Sequence, residues 1–231
     1  MKRYRHLFFD LDHTLWDFRS NSREALRELV ADHDLIARGI PSAEAFIEAY
    51  EEINHALWAE HGAGRMPKEV LRVLRFRTGL QRFGITDGRL PGRLSEEYLE
   101  RCPRKTSLMP GTLEMLRAAA SNHRMHIITN GFEEVQHVKL RNSGINDLFE
   151  LVLTSERAGA AKPHAAIFRE ALRRTGASAS ESVMIGDNSD TDMLGARNAG
   201  WDHIHYAAET EPDTLATHRV AHHDELRRLL A

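Results

Sequence analysis

The sequence predicts an α/β protein: a Rossmann-like, doubly wound parallel sheet with a helical domain inserted into it. Three observations lead there. Short apolar runs recur along the chain, and several end abruptly in polar or acidic residues. Helical patterns lie between these runs, the alternation that builds a parallel sheet with helices on both faces. One long stretch, 17–104, breaks the alternation and carries helical periodicity alone.

The first run, Leu7-Phe8-Phe9, ends in Asp10-Leu11-Asp12 and reads as a buried strand with an acidic tip. His126-Ile127-Ile128 ends in Thr129-Asn130-Gly131, and Leu151-Val152-Leu153 ends in Thr154-Ser155-Glu156. Ser182-Val183-Met184-Ile185 ends in Gly186-Asp187-Asn188, and His203-Ile204-His205-Tyr206 is a fifth strand. Between them, Pro110-Gly111-Thr112 opens a helix with Leu113 and Leu116 on one face. A second helix is expected from about Glu133 to Asn142. A third, Ala165 to Arg174, turns Ile167, Phe168, Ala171 and Leu172 inward. A fourth, capped by Thr191 or Asp190, ends near Ala199-Gly200.

Within the insert, Phe46, Tyr50, Ile53 and Leu57 line one helical face. Leu26, Leu29 and Val30 mark an earlier helix. Val70, Leu71 and Leu74 mark a later one ended by Gly79 or Gly84, and Leu94, Tyr98 and Leu99 a fourth. The expected division is a sheet domain of 1–16 with 105–231 and a helical domain of 17–104. Its apolar stripes are read as packing.

Composition narrows the function. The net charge of −3 leaves no basic excess for a nucleic-acid polymer. No apolar run approaches the roughly 20 residues of a membrane span. The single cysteine, Cys102, excludes an intrachain disulfide and a cysteine-based zinc site. The basic start Met1-Lys2-Arg3-Tyr4-Arg5-His6 precedes too short an apolar stretch for a signal peptide, so the cytoplasm is the expected compartment.

In an open parallel sheet the carboxyl ends of the strands bound the ligand crevice. If these strands are neighbours, one edge collects Asp10, Asp12, Thr129, Lys162, Asp187 and Asp192. Crowded carboxylates repel, so some protonate or a cation sits among them. Oxygen ligands without cysteine suit Mg²⁺ before Zn²⁺. A cation, a lysine and a hydroxyl around one carboxylate describe a phosphoryl site. Other readings stand beside this one: Asp12 or Thr14 as a turn cap, Thr129 as a helix cap, Lys162 as a solvated loop lysine. Asp190 is read as an N-cap. His13 is read as a packing residue whose side chain, in strand-like geometry, points away from the two aspartates. His203 and His205 lack a third ligand for zinc.

In family order, Asp10-x-Asp12-x-Thr14, Thr129-Asn130-Gly131, Lys162-Pro163 and Gly186-Asp187 with Asp192 resemble the four motifs of the haloacid dehalogenase-like hydrolase superfamily. The helical insert resembles that family's C1-type cap. The resemblance implies that the Asp10 strand is central and that Asp10 is a nucleophile forming an aspartyl-phosphate. It implies that Asp12 is general acid, then general base. Thr129, the backbone near Asn130, and Lys162 would hold the phosphoryl group, Lys162 also balancing charge. Mg²⁺ would be held by Asp10, the Asp12 backbone carbonyl and Asp187. Asp192 would orient ligands or water, and Thr14 would fix the turn that aims Asp12.

Cleaving a carbon–halogen bond needs no acid for an alkoxide, so Asp12 favours phosphate esters over dehalogenation. Trp16, Phe18 and Phe132 lie beside the motifs and either stack on a nucleobase or seal the cap. The run from Phe8 to Phe18 and Ile128 to Phe132 is similar to bacterial 5'-nucleotidases acting on pyrimidine and noncanonical nucleoside monophosphates. The expected partner is therefore a small phosphate ester, a nucleoside monophosphate first, bound by a monomer or homodimer. Phosphoglycolate or sugar-phosphate hydrolysis, a phosphomutase, and a non-enzymatic binding module are the alternatives.

Overall fold

The computed structural model describes residues 4–207 and 216–231; Met1 to Arg3 of the basic start lie outside them. The chain forms two compact units, Met1–Phe18 with Thr106–Ala231, and Arg19–Lys105. Among the described residues no helix is long and apolar enough to cross a membrane.

The first unit is built on a six-stranded sheet in the order β3-β2-β1-β4-β5-β6. These strands are β1 (His6–Phe9), β2 (Arg124–Thr129), β3 (Leu151–Thr154), β4 (Ser182–Gly186), β5 (Asp202–Tyr206) and β6 (His218–Val220). Every pairing is parallel, so all strand tips face one edge. Phe9 of β1 is in register with Ile127 of β2 on one side and Ile185 of β4 on the other. The expected doubly wound sheet is therefore present, with the Asp10 strand at its centre. Chain order reverses between β1 and β4, the switch point where such sheets open a crevice.

Crossover helices cover the sheet. The face bearing Phe8 packs on Ile128, Leu153 and Met184 and on Ile167, Phe168 and Ala171 of α8 (Ala165–Thr175). The other helices of this unit are α5 (Thr112–Ala119), α6 (Glu133–Asn142), the short α7 (Ser155–Ala158), α9 (Leu194–Asn198) and α10 (His223–Leu230). Strand β6 and helix α10 go beyond the sequence reading. His218-Arg219-Val220 has no apolar run to announce a strand.

The second unit holds α1 (Phe18–Asp32, beginning at the boundary), α2 (Ala43–Gly62), α3 (Lys68–Gln81) and α4 (Leu90–Arg101). Leu26, Leu29, Phe46, Tyr50, Ile53, Leu94 and Tyr98 are buried, as their spacing predicts. Helix α3 is present where Val70, Leu71 and Leu74 mark it, and of the two glycines offered as its end Gly84 is the one that fits. Val70 is 49% exposed, because the inner face runs through Leu71, Arg75, Phe76 and Leu80. Gly79 does not end the helix: it lies inside α3, where an added Cβ would meet Phe46 Cε2 at 3.4 Å. The left-handed Gly84, at φ 75°, lies in the turn that follows.

Candidate active site

Asp10 leaves the end of β1 with its backbone N–H donated to Ile185 O at 2.8 Å. The chain then folds into a tight turn: Leu15 and Trp16 both donate to Leu11 O at 2.9 Å, and His13 donates to Trp16 O at 3.0 Å. His13 takes a φ of 65°, so the strand-like geometry expected for it is absent. Its ring lies 5.0 Å from that of Phe18, a local packing contact. The turn points the Thr14 hydroxyl at Asp187 Oδ1, 3.1 Å away.

Lys162 is almost fully buried. Its Nζ donates to Asp10 Oδ1 at 2.6 Å and to Ile128 O at 2.8 Å, and pairs with Asp192 Oδ1 at 2.6 Å. Asn130 holds this lysine in place through the backbone, since its side chain exchanges two 2.9 Å hydrogen bonds with the Lys162 N–H and C=O. The Asn130 side chain is thus engaged at Lys162. The solvated-loop reading of Lys162 fails.

Carboxylate oxygens of Asp10, Asp187 and Asp192 all lie within 4.8 Å of one another. Burial is the main force on Asp10 and pushes its carboxyl up to about 7, with Asp192 and Asp12 adding to the rise and Lys162 opposing it. Burial likewise pushes Asp187 up to about 8, helped by Asp10 and Asp192 and opposed by Lys162 and the Thr14 hydroxyl. For Lys162, burial alone would lower the ammonium, but Asp10 and Asp192 hold it above its ordinary range. One lysine thus faces three acids. Such an all-oxygen set suits a hard divalent cation, which would take the place of the missing positive charge. Asp192 is closer to the cluster than a purely outlying role needs. It is fully buried and accepts the Asn188 N–H at 3.2 Å. Gly186 makes room for it, since a Cβ there would come 2.2 Å from Asp192 Oδ2.

The helix following β4 starts earlier than expected. A π-helical turn, Ser189–Met193, precedes α9, so the cap falls on Asn188. Its Oδ1 accepts from the N–H groups of Asp190 and Thr191 at 2.9 and 3.0 Å. Neither Asp190 nor Thr191 is the N-cap, and the Asp190 side chain is exposed.

Thr129 ends β2 without capping α6. Its hydroxyl oxygen accepts from Gly131 N–H at 3.1 Å and from Gln136 Nε2 at 2.8 Å. An oxygen with two acceptances has its own proton left to give, which suits an acceptor-only phosphoryl group.

The side chain of Asp12 faces α6. Lys139 Nζ donates to both its oxygens, at 2.6 and 2.8 Å, and Gln136 Nε2 donates to Oδ2 at 3.0 Å. The Lys139 ammonium also sits 4.5 Å from the Trp16 ring centre and 5.4 Å from that of Phe18. Trp16 and Phe132 are buried and Phe18 is half-buried.

Sequence reasoning missed Gln136 and Lys139. Their signal was two polar residues, three apart, on the inner face of a crossover helix, where apolar ones are the rule. Two histidines were also missed as supports. His205 Nε2 donates to Asp187 O at 2.8 Å, and His223 Nε2 of α10 donates to Thr14 O at 2.8 Å. His203 instead bonds Trp201 O at 3.0 Å, so the two β5 histidines do not form a zinc pair.

The model of the haloacid dehalogenase-like hydrolases matches residues 4–200. The chain is 33% identical over 230 residues to the pyrimidine 5'-nucleotidase YjjG of Escherichia coli, covering 97% of this chain and 96% of that one. It is 29% identical to the pyrimidine 5'-nucleotidase PynA of Streptococcus pneumoniae, covering 94% and 88%. Among solved structures, the magnesium-bound putative HAD-hydrolase YfnB from Bacillus subtilis superposes with a TM-score of 0.88 at 28% identity, covering 99% of both chains.

Proposed function

The chain belongs to the haloacid dehalogenase-like hydrolase family, and we propose that it is a Mg²⁺-dependent phosphatase of nucleoside 5'-monophosphates, pyrimidine ones foremost. The observation that carries the reading is Lys162 set 2.6 Å from Asp10 inside a cluster of three carboxylates. A carboxylate beside a fixed cation, at the switch point of a parallel sheet, is placed to take up a phosphoryl group.

In this proposal an Asp10 oxygen attacks phosphorus as the bond to the ester oxygen breaks. Asp12 gives that leaving oxygen a proton. Water then attacks the same phosphorus, Asp12 takes the water's proton, and the Asp10–phosphorus bond breaks to release orthophosphate. Lys162 offsets charge on Asp10 and the phosphoryl oxygens, and the Thr129 hydroxyl and Asn130 backbone N–H donate to those oxygens. Asp10, the Asp12 carbonyl and Asp187 would hold Mg²⁺, with Asp192 and Thr14 steadying the set; the ion would supply Lewis-acid stabilisation of phosphoryl charge. Asp12 favours esters over carbon–halogen bonds, since an alkoxide needs a proton and a halide does not.

The sequence-based domain limits, 1–16 with 105–231 and 17–104, are part of the proposal, the helical domain being the cap that selects the leaving group. The test is a panel of nucleoside monophosphates, phosphoglycolate and sugar phosphates, assayed with Mg²⁺ and with chelator. Highest turnover on pyrimidine monophosphates, lost on chelation, is expected. Preference for phosphoglycolate or a sugar phosphate would replace the substrate assignment, and chelator-insensitive turnover would remove the metal.

A further inference from the structure

Most charged side chains on a crossover helix reach water, yet Lys139 is only 3% exposed and Gln136 is fully buried. Both are spent on Asp12. Lys139 holds its two oxygens and Gln136 donates to one of them, while the second hydrogen of the Gln136 amide goes to Thr129. The amide orientation follows from this: the reverse would set Oε1 against the Asp12 carboxylate.

The arrangement has a cost that packing alone does not explain. Gln136 Oε1 is buried with no hydrogen-bond partner. Such an oxygen is destabilising, and an apolar side chain at the same place would not carry that cost. The backbone makes room as well, since a Cβ on residue 131 would lie 1.9 Å from Gln136 Nε2. Residue 131 must therefore be glycine for the amide to lie where it does.

We propose that Gln136 and Lys139 are positioning residues that fix the Asp12 carboxyl for proton exchange with the ester's leaving oxygen. The proposal rests on the phosphatase reading above. The two residues act through Asp12. Their anchoring on α6, one turn apart, fixes three contacts to a carboxyl that otherwise sits on a freely rotating side chain.

The consequence depends on the leaving group. An alkoxide oxygen, such as the 5' oxygen of a nucleotide, needs a proton to depart. A p-nitrophenolate departs well as an anion. A misplaced Asp12 should therefore harm the first kind of ester far more than the second, whereas general damage to the site would harm both alike. The comparison uses kcat/KM, which covers the steps through the first phosphorus–oxygen cleavage.

The experiment measures kcat/KM on a nucleoside 5'-monophosphate and on p-nitrophenyl phosphate for the wild type, Lys139→Met, Lys139→Arg and Gln136→Met. Lys139→Met is expected to lose about 100-fold on the nucleotide, at the lower end of what general acid catalysis contributes, and about ten-fold less than that on the aryl ester. Lys139→Arg should restore most of the ratio between the two esters. Gln136→Met, which removes no charge, should shift the ratio in the same direction by a smaller factor, and it carries the comparison if Lys139→Met does not fold. Equal losses on both esters, or no loss on either, would overturn the proposal. A wild type inactive on both esters would instead overturn the phosphatase reading on which it rests.

Discussion

Among the described residues of the sheet unit, the buried lysines Lys162 and Lys139 lie against carboxylates. In the helical unit the buried cation is Arg75, and among the described residues no carboxylate faces it. Its guanidinium stands 4.8 Å from the Tyr98 ring centre, 5.5 Å from Tyr50 and 5.6 Å from Phe76, and donates to Asn54 Oδ1 at 3.1 Å. Aromatic faces and a carbonyl accommodate a charge without setting other charges beside it. That is a packing solution. The sheet unit instead gathers like charges that repel, and repulsion is tolerated where function needs it. Burial alone does not mark the site; the convergence of carboxylates does.

Exchanging each cation for a methionine sharpens the contrast, and Lys162→Met should show the larger effect. It leaves Asp10, Asp187 and Asp192 facing one another. Turnover should fall at least about 100-fold, the scale for losing one fixed charge stabiliser. Stability of the metal-free protein near pH 8 should fall by about 3 kcal/mol, as when one partner of a buried ion pair is removed. Thermal unfolding and steady-state kinetics check both. An active, equally stable variant would break the comparison.

The next effect links pH to metal. Burial and mutual repulsion push the Asp10 and Asp187 carboxyls up, to about 7 and about 8, in the folded chain, above the ordinary value near 4 of the unfolded chain. Between these limits the folded chain keeps protons that the unfolded chain has released. Their contribution to the metal-free protein therefore falls as pH rises through that window and levels off above it. A divalent cation substitutes for those protons, so Mg²⁺ should raise the melting temperature more near pH 8 than near pH 5. Saturation to about 100 times the dissociation constant is worth roughly 2.7 kcal/mol. His126 and His223, held down to about 4 by burial, pull the other way: their stability is lost as pH falls from about 6.5 toward 4. Comparing with and without metal at each pH cancels them. Equal shifts at both pH values would mean that the acids do not bind the ion.

The smallest effect is expected for Arg75→Met. Replacing an unpaired buried cation by an apolar chain of similar length should cost no more than about 1–2 kcal/mol. Turnover should stay within a few-fold of wild type. A loss like that of Lys162→Met would place Arg75 in the reaction.

The parts of the fold legible in sequence were those written as a period. Strands that are buried on both faces read as apolar runs, and their polar tips marked one edge of the sheet. That is how Asp10, Thr129, Lys162 and Asp187 were found together. Illegible were contacts made by polar residues on helical inner faces. Val135 and Val138 are only half-buried in α6, while Gln136 and Lys139 point inward, so hydrophobicity turns that helix the wrong way. The Asn188 cap was missed because a π-helical turn has no 3.6-residue signal. His205 and His223 act on backbone carbonyls far away in the chain, and nothing local announces such a partner.

The most direct measurement follows the phosphoryl group itself. Enzyme mixed with a nucleotide labelled in its phosphate is quenched in acid within one turnover, digested, and its peptides are sequenced by mass. The label is expected on the peptide containing Asp10, at the Asp10 carboxyl, and none on the Asp10→Asn variant. Turnover that proceeds with no labelled peptide, or with the label on another residue, would contradict it.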